Sequence, residues 1–164
     1  MKRLWLVLTT LAAAAAAFLA PGGAIAAAPA TCTSGVTIFT TSTGDVNVAG
    51  STTHFRDSGV AGTYTSGFLA GYALTGAQNI ERNDATRQAT LEGQFVATGP
   101  GGTLTVHFNG SVDLTSGAAV GHFATVSGTG DFDGFHWNGD ISLQLVSLTP
   151  PTFVGTDSGF CHGA

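Results

Sequence analysis

The chain has 164 residues, with five Lys or Arg against ten Asp or Glu, and its formal net charge at pH 7 is −5. Proteins that bind nucleic acids use clustered Lys and Arg to neutralise phosphates, and anionic membrane surfaces are bound by similar clusters. The composition therefore excludes a nucleic-acid partner and disfavours an anionic membrane surface.

The beginning of the chain predicts a secretory signal peptide. Lys2 and Arg3 precede an apolar run over residues 4–20, and small residues up to Ala26 provide a cleavage site. This order of basic, apolar and small residues is typical of exported proteins. A retained membrane anchor is the weaker alternative, because the run is short for a membrane span and rich in alanine. We therefore expect residues 1–26 to be removed, leaving no membrane contact after cleavage.

The remaining residues, 27–164, suit one domain and carry three Arg and ten acidic residues, which gives a formal charge of −7. Cys32 and Cys161 lie near its two ends. In an exported protein such a pair predicts one disulfide, which would close almost the whole domain into a ring. Neither cysteine belongs to a Cys-x-x-Cys motif, so a redox or metal role is disfavoured. We expect an extracellular, disulfide-bonded protein.

The pattern along this domain predicts an all-β fold. Thr, Val, Gly and Phe are frequent, apolar and polar residues alternate, and no segment has the i, i+3, i+4 apolar spacing of an amphipathic helix. A charged stretch over residues 78–87 interrupts the alternation, and residues 79–85 are expected to form an exposed loop. The expected strands are, in chain order, residues 36–41, 46–55, 60–65, 67–74, 88–97, 103–114, 118–126, 137–148 and 152–160.

The middle of the domain allows a strand register to be predicted. Residues 99–102, Gly-Pro-Gly-Gly, are typical of a turn. With Thr98 opposite Thr103, Phe95 pairs with Val106, and side chains two residues apart share a face of the sheet. The next turn places Phe123 on the same face. Three neighbouring strands therefore share one apolar face.

The opposite face of these strands carries a row of polar side chains, here called the polar row: Glu92, Gln94, His107, Asn109 and His122. The register places Glu92 opposite Asn109, Asn109 opposite His122, and Gln94 opposite His107. One interpretation is a solvated outer face with cross-strand hydrogen bonds. The alternative is a binding or acid–base site, which requires that the polar row points into a closed barrel.

A glycine-rich stretch over residues 127–140 is interpreted as a structural corner. Gly128, Gly130 and Gly134 surround the aromatic Phe132. Glycine permits positive φ angles and a close approach of neighbouring chains, which other residues resist. We expect the aromatic residues of this glycine corner to cap the end of the sheet. A ligand site at the corner is the alternative.

No motif predicts a metal or a cofactor. Asp131, Asp133 and Asp140 lie near glycines but lack the order of acidic residues and glycine that an EF-hand loop has. His107 and His122 lie diagonally on the predicted register, but no third ligand follows at a recognised spacing. We therefore expect neither a metal ion nor a cofactor.

Several short motifs resemble a known group of proteins. They are Glu92-Gly93-Gln94-Phe95, Gly102-Thr103-Leu104, Gly121, residues 127–132, Gly134 and Gly139. They resemble the allene oxide cyclase barrel-like and dirigent-like families, and among these the secreted bacterial branch. The resemblance implies a single antiparallel eight-stranded calycin-like β-barrel whose lumen accepts a small apolar molecule. It transfers no catalytic residue to this chain.

The expected function is that of a small secreted barrel that binds a small or apolar ligand or has a structural extracellular role. The alternative is a cyclase or isomerase that acts on a small apolar substrate in the lumen. In that alternative Glu92, His107, Asn109 and His122 are the candidate catalytic residues, and it depends on the polar row facing inward. The sequence indicates no other partner and no particular oligomeric state.

Overall fold

The computed structural model describes residues 29–163, and the predicted signal peptide over residues 1–26 lies outside this range. The described range contains nine β-strands and no helix, and thus no helix that is long and apolar enough to cross a membrane. The strands are β1 (Ala30–Thr40), β2 (Asp45–Ala49), β3 (Thr52–Gly67), β4 (Ala73–Asn83), β5 (Gln88–Gly99), β6 (Gly102–Asp113), β7 (Ala118–Gly130), β8 (His136–Leu148) and β9 (Pro151–His162).

Eight of these strands form a closed antiparallel β-barrel. From β3 to β9 each strand pairs with the next one along the chain, and β1 closes the barrel by pairing with both β9 and β3. The 16-residue β3 is long enough to have two neighbours on one side, because residues 52–56 pair with β2 and residues 60–67 pair with β1. The prediction of an all-β, eight-stranded antiparallel barrel is confirmed, with β2 as an additional strand.

The predicted register of the central strands is confirmed. Thr98 pairs with Thr103, and Phe95 pairs with Val106. The next pair of strands continues the pattern, with Asn109 opposite His122. Phe95, Val106 and Phe123 are all buried, so the shared apolar face is the inside of the barrel.

The predicted boundaries are wrong in the first half of the domain. Residues 46–55, predicted as one strand, are divided between β2 and β3 by a turn in which Gly50 has a φ of 63°. Residues 60–65 belong to the same long β3, and most of residues 67–74 form the turn before β4. The loop expected over residues 79–85 is also wrong, because β4 continues to Asn83. Its turn covers residues 84–87, where the Asn83 Oδ1 accepts hydrogen bonds from two backbone N–H groups.

The two ends of the barrel differ in their packing. The end that carries the β3–β4, β5–β6 and β7–β8 turns, here called the closed end, is filled by large side chains, including Tyr64, Leu69, Phe132 and Trp137. The opposite end carries the β4–β5, β6–β7 and β8–β9 turns and is here called the open end. Its smaller buried cluster consists of Ala89, Val112 and Ala119. Small side chains fill less of the lumen, and the open end is consequently hollow.

The glycine corner lies between β7 and β8, at the closed end of the barrel. Gly130 and Gly134 have φ angles of 66° and 68°, which L side chains rarely adopt. A Cβ atom on Gly128 would lie 2.7 Å from the Cβ of Phe132, so this position has no room for a side chain. Phe132 is 7% exposed and makes an edge-to-face contact with Tyr72, at a centroid distance of 5.7 Å. The corner therefore covers the closed end.

The predicted disulfide between Cys32 and Cys161 is present. It joins β1 to β9 on the inside of the barrel, with a Cα–Cα distance of 5.8 Å. Both cysteines pack against the large side chains of the closed end. The bond thus connects the first and last strands of the barrel at the end where the lumen is filled.

Candidate functional site

The polar row lies on the outside of the barrel. Glu92, Gln94, His107, Asn109 and His122 are all exposed to solvent. Their neighbours along β5, β6 and β7 point into the lumen, and side chains alternate between the two faces of a strand. The lumenal placement on which the cyclase or isomerase alternative depended is therefore wrong for these residues.

Three members of the polar row do contribute to a concave surface. Glu92, Asn109 and His122 line an open hollow of about 960 Å³ on the outer face, together with Asp140, whereas Gln94 and His107 lie outside it. His122 Nδ1 is 2.6 Å from Asp140 Oδ1, and the two side chains are 77% and 76% exposed. Solvent weakens such an exposed ion pair, which contributes little to affinity or stability. The outer hollow is the less favourable candidate site.

A second hollow occupies the lumen at the open end. It has a volume of about 400 Å³, and its wall is almost entirely apolar. Leu91, Val112, Ala119, Leu143 and Phe153 belong to this wall. Ligand sites in proteins are mostly enclosed, apolar and between about 300 and 1,000 Å³, with a few polar groups at fixed positions. The lumenal cavity fits this description better than the outer hollow does.

The sequence explains why a cavity remains at this end. Ala89, Gly110, Ala119 and Gly121 contribute to its wall, where each has at most a methyl group. Towards the closed end, the same strands β5, β6 and β7 carry Phe and Leu side chains at their inward positions, which are Phe95, Leu104, Phe108 and Phe123. The change from large to small inward residues along these strands therefore leaves space in the lumen.

One buried carboxyl group belongs to the cavity wall. Asp157, on β9, is 2% exposed, and its Oδ2 accepts a hydrogen bond of 3.0 Å from the hydroxyl of Tyr64 on β3. Its Oδ1 is also buried and has no hydrogen-bond partner among residues 29–163. Buried polar atoms in folded proteins are nearly always hydrogen-bonded, so an unpaired carboxyl oxygen in a cavity wall marks a candidate functional group.

Burial changes the ionisation of both partners. Loss of solvation raises the pKa of Asp157 to about 7, although the hydrogen bond from Tyr64 acts in the opposite direction. Burial, followed by the charge of Asp157, raises the pKa of Tyr64 well above its ordinary value. Tyr64 therefore remains a hydrogen-bond donor at neutral pH, while Asp157 changes between a neutral acid and a carboxylate.

Two other polar side chains of the wall, Ser58 and Arg82, have hydrogen-bond partners. The hydroxyl of Ser58 donates a hydrogen bond of 2.7 Å to the carbonyl of Thr43. Arg82 donates a hydrogen bond of 3.1 Å from Nη2 to Oδ2 of Asp84, and its guanidinium lies over the ring of Phe55. Gln78 is half-buried and also belongs to the wall. Asp157 is thus the most deeply buried ionisable group of this cavity.

The sequence analysis did not identify Asp157 or Tyr64. A disulfide between the neighbouring strands β1 and β9 does not by itself say which face of the strands the cysteines occupy. In the structure Cys161 is buried inside the barrel. Residues four positions apart in a strand share a face, which places Asp157 inside with Cys161. Within the described residues, no group of three or more His, Cys, Asp or Glu side chains is arranged to hold a metal ion.

Comparisons with protein families, with curated proteins and with solved structures found no match for this chain.

Proposed function

We propose that this protein is a secreted β-barrel that binds a small, mainly apolar molecule in its lumen. The observation that carries the proposal is the apolar cavity of about 400 Å³ at the open end. An apolar ligand removes both its own surface and that of the wall from water, which contributes about 25 cal/mol for each Å² buried. The wall offers few polar groups, so specificity for a polar ligand has little support.

The size of the cavity limits the size of the ligand. A dry apolar cavity of about 150 Å³ is sufficient for a benzene molecule. A cavity of about 400 Å³ is on this scale large enough for a molecule of two or three fused rings, or a branched hydrocarbon of similar volume. We therefore propose a compact ligand rather than a long lipid chain.

Export is part of the proposal. The predicted signal peptide supports it, and an intramolecular disulfide such as Cys32–Cys161 is typical of proteins in oxidising compartments. We also propose that the protein is related to the allene oxide cyclase barrel-like and dirigent-like families. The eight-stranded barrel supports this relationship, because it is the fold that the sequence resemblance implied. Since a fold does not determine an activity, we propose binding and not a reaction.

Binding of 2-methylnaphthalene, which has no hydrogen-bonding group, tests the proposal. We expect equilibrium dialysis with residues 27–164 to show one saturable site. Ala119→Leu places a larger side chain in the cavity wall and should weaken binding at least tenfold. Ala118→Leu is the matched control, because Ala118 is the neighbouring exposed residue on the outer face and should have no effect.

Two outcomes would contradict this proposal: no saturable binding by the unsubstituted protein, or equal weakening by both substitutions. Thermal melting of both variants should accompany the dialysis, since an inserted methylene group can strain a packed interior. If Ala119→Leu does not fold, Ala89→Val provides the second variant, because Ala89 lies in the same wall.

A further inference from the structure

Resting on the proposed lumenal binding, we propose that the natural ligand carries one hydrogen-bond donor, a hydroxyl or an amine, which pairs with Oδ1 of Asp157. The ligand would place its apolar body among the side chains of the open end. Its donor would point to β9 at the inner part of the cavity. The ligand class is thus an apolar ring compound with a single O–H or N–H group.

The arrangement around Asp157 supports a donor at this position. One carboxyl oxygen is already occupied by the Tyr64 hydroxyl, which fixes the orientation of the group. The other oxygen has no partner in the described part of the chain and can accept one further hydrogen bond. An unpaired buried acceptor costs free energy, and a ligand that supplies the missing donor recovers this cost when it binds.

The neighbours of Asp157 on the adjacent strands supply no competing charge. Its register partners are Ser34 on β1 and Ile141 on β8, neither of which is ionisable at neutral pH. Tyr64 on β3 is the titratable group in contact with it. The other charged member of the cavity wall, Arg82, is paired with Asp84. A donor on the ligand would therefore meet Asp157 without an intervening cation.

The ionisation of Asp157 makes the preference for a donor dependent on pH. Because burial raises the pKa of Asp157 to about 7, the group is a carboxylate at pH 8 and a neutral acid at pH 5.5. In the neutral acid the proton lies on Oδ1, because Oδ2 accepts the hydrogen bond from Tyr64, whereas the carboxylate offers Oδ1 as an ionised acceptor whose hydrogen bonds are roughly twice as strong as those between neutral groups. The donor-bearing ligand should consequently bind more tightly at pH 8 than at pH 5.5, relative to a ligand without the donor.

The test compares 2-naphthol, 1-naphthylmethylamine and 2-methylnaphthalene, which have similar apolar bodies. For each compound the Kd is measured at pH 5.5 and pH 8 with residues 27–164. The reference is the double variant Tyr64→Phe/Asp157→Leu, which removes both polar groups and leaves an apolar wall of similar size. We expect the Kd of 2-naphthol or of the amine, relative to that of 2-methylnaphthalene, to be at least tenfold lower in the unsubstituted protein than in the double variant.

Two single variants separate the roles of the carboxyl group and of other polar side chains. Asp157→Asn uses its amide oxygen to accept the hydrogen bond from Tyr64 and presents its NH2 group, a donor, in place of Oδ1, so it should lose both the preference for the donor compounds and its change between pH 5.5 and pH 8. Gln78→Met is the control, because Gln78 lies in the same wall and should not determine the preference. A larger preference for 2-naphthol indicates a hydroxyl ligand, and a larger preference for the amine indicates an amine ligand.

The outcomes distinguish this inference from the proposal on which it rests. Saturable binding of 2-methylnaphthalene without any preference for either donor compound overturns the inference and leaves lumenal binding intact. A preference that disappears in Gln78→Met but persists in the double variant also overturns it. If none of the three compounds binds, both proposals are wrong. If the double variant does not fold, loss of the pH dependence in Asp157→Asn decides the question.

Discussion

At the scale of single residues, the buried Asp157 should make the stability of the barrel depend on pH. Its pKa is raised from 3.8 to about 7 in the folded protein. Between about pH 4 and pH 7 the folded protein keeps a proton on Asp157 that the unfolded chain releases. The stabilising contribution of this proton to the folded state is complete below about pH 4. It decreases as the pH rises to 7. Three pKa units correspond to up to about 4 kcal/mol of unfolding free energy.

The substitution Asp157→Asn isolates this effect. The amide oxygen of Asn accepts the hydrogen bond from Tyr64, but the amide does not titrate. The unfolding free energy of the Asp157→Asn protein should therefore not decrease between pH 4 and pH 7 on account of this position. Urea unfolding at several pH values measures both proteins. Parallel stability profiles for the two proteins would show that the carboxyl of Asp157 ionises in the folded state as it does in water.

Individual site residues were harder to predict from the sequence than the fold was. Polar residues attract attention when they cluster, as Glu92, Asn109 and His122 do, but a clustered row on a sheet is usually its solvated face. Asp157 stands alone between Thr156 and Ser158, and its importance depends on which face of β9 it occupies. The sequence does not say on which face of β9 Cys161 lies, since cysteines on neighbouring strands can form a disulfide on either face, and the structure places both Cys161 and Asp157 inside.

At the scale of elements, a comparison of the glycine corner with the β3–β4 turn separates the cost of backbone strain from the cost of steric contact. Gly130 and Gly71 both have positive φ angles, of 66° and 86°. A Cβ on Gly130 would press against the backbone of Gly101 and Gly102, whereas a Cβ on Gly71 has nothing within 4 Å. Gly71→Ala should therefore cost about 1–2 kcal/mol from strain alone. Gly130→Ala should cost about 1–3 kcal/mol more, because of the contact.

Thermal or urea unfolding of the two variants measures the difference. Equal losses of stability would mean that the chain at Gly101 moves aside easily, and the corner would then be an ordinary turn. A loss confined to Gly71→Ala would contradict the structural role of the corner altogether.

The elements that were predicted correctly share a simple local pattern. β5, β6 and β7 are joined by short turns, so their register follows from the turn positions, apart from one shift between Thr105 and Val106 in the pairing of β6 with β7. The long β3 breaks this rule, because Asp57 has a φ of 54° and the pairing with β4 shifts between Phe55 and Ser58. The end of β4 was mistaken for a loop because Gln78 and Arg82 are polar, although both line the cavity and are only partly exposed to solvent.

At the scale of the whole molecule, the disulfide and the cavity lie in different halves of the barrel. Cys32 and Cys161 pack with the large side chains of the closed end, whereas the cavity wall is formed by the open end. The barrel is also closed by ten residue pairs between β1 and β9, from Ala30–Cys161 to Phe39–Thr152. The folded state should therefore keep its shape when the disulfide is removed, and the consequence should appear in stability instead.

The double variant Cys32→Ala/Cys161→Ala tests this separation. The cysteines are 129 residues apart, and a cross-link over so long a loop restricts the unfolded chain by up to about 5 kcal/mol. We expect the unfolding free energy in urea to decrease by several kcal/mol, up to that limit, while circular dichroism and the Kd for 2-methylnaphthalene stay unchanged. A variant that keeps its stability would show that strand pairing alone closes the barrel. A variant that is stable but binds the probe more weakly would show that the closed end shapes the cavity, because binding would then depend on packing at the distant disulfide.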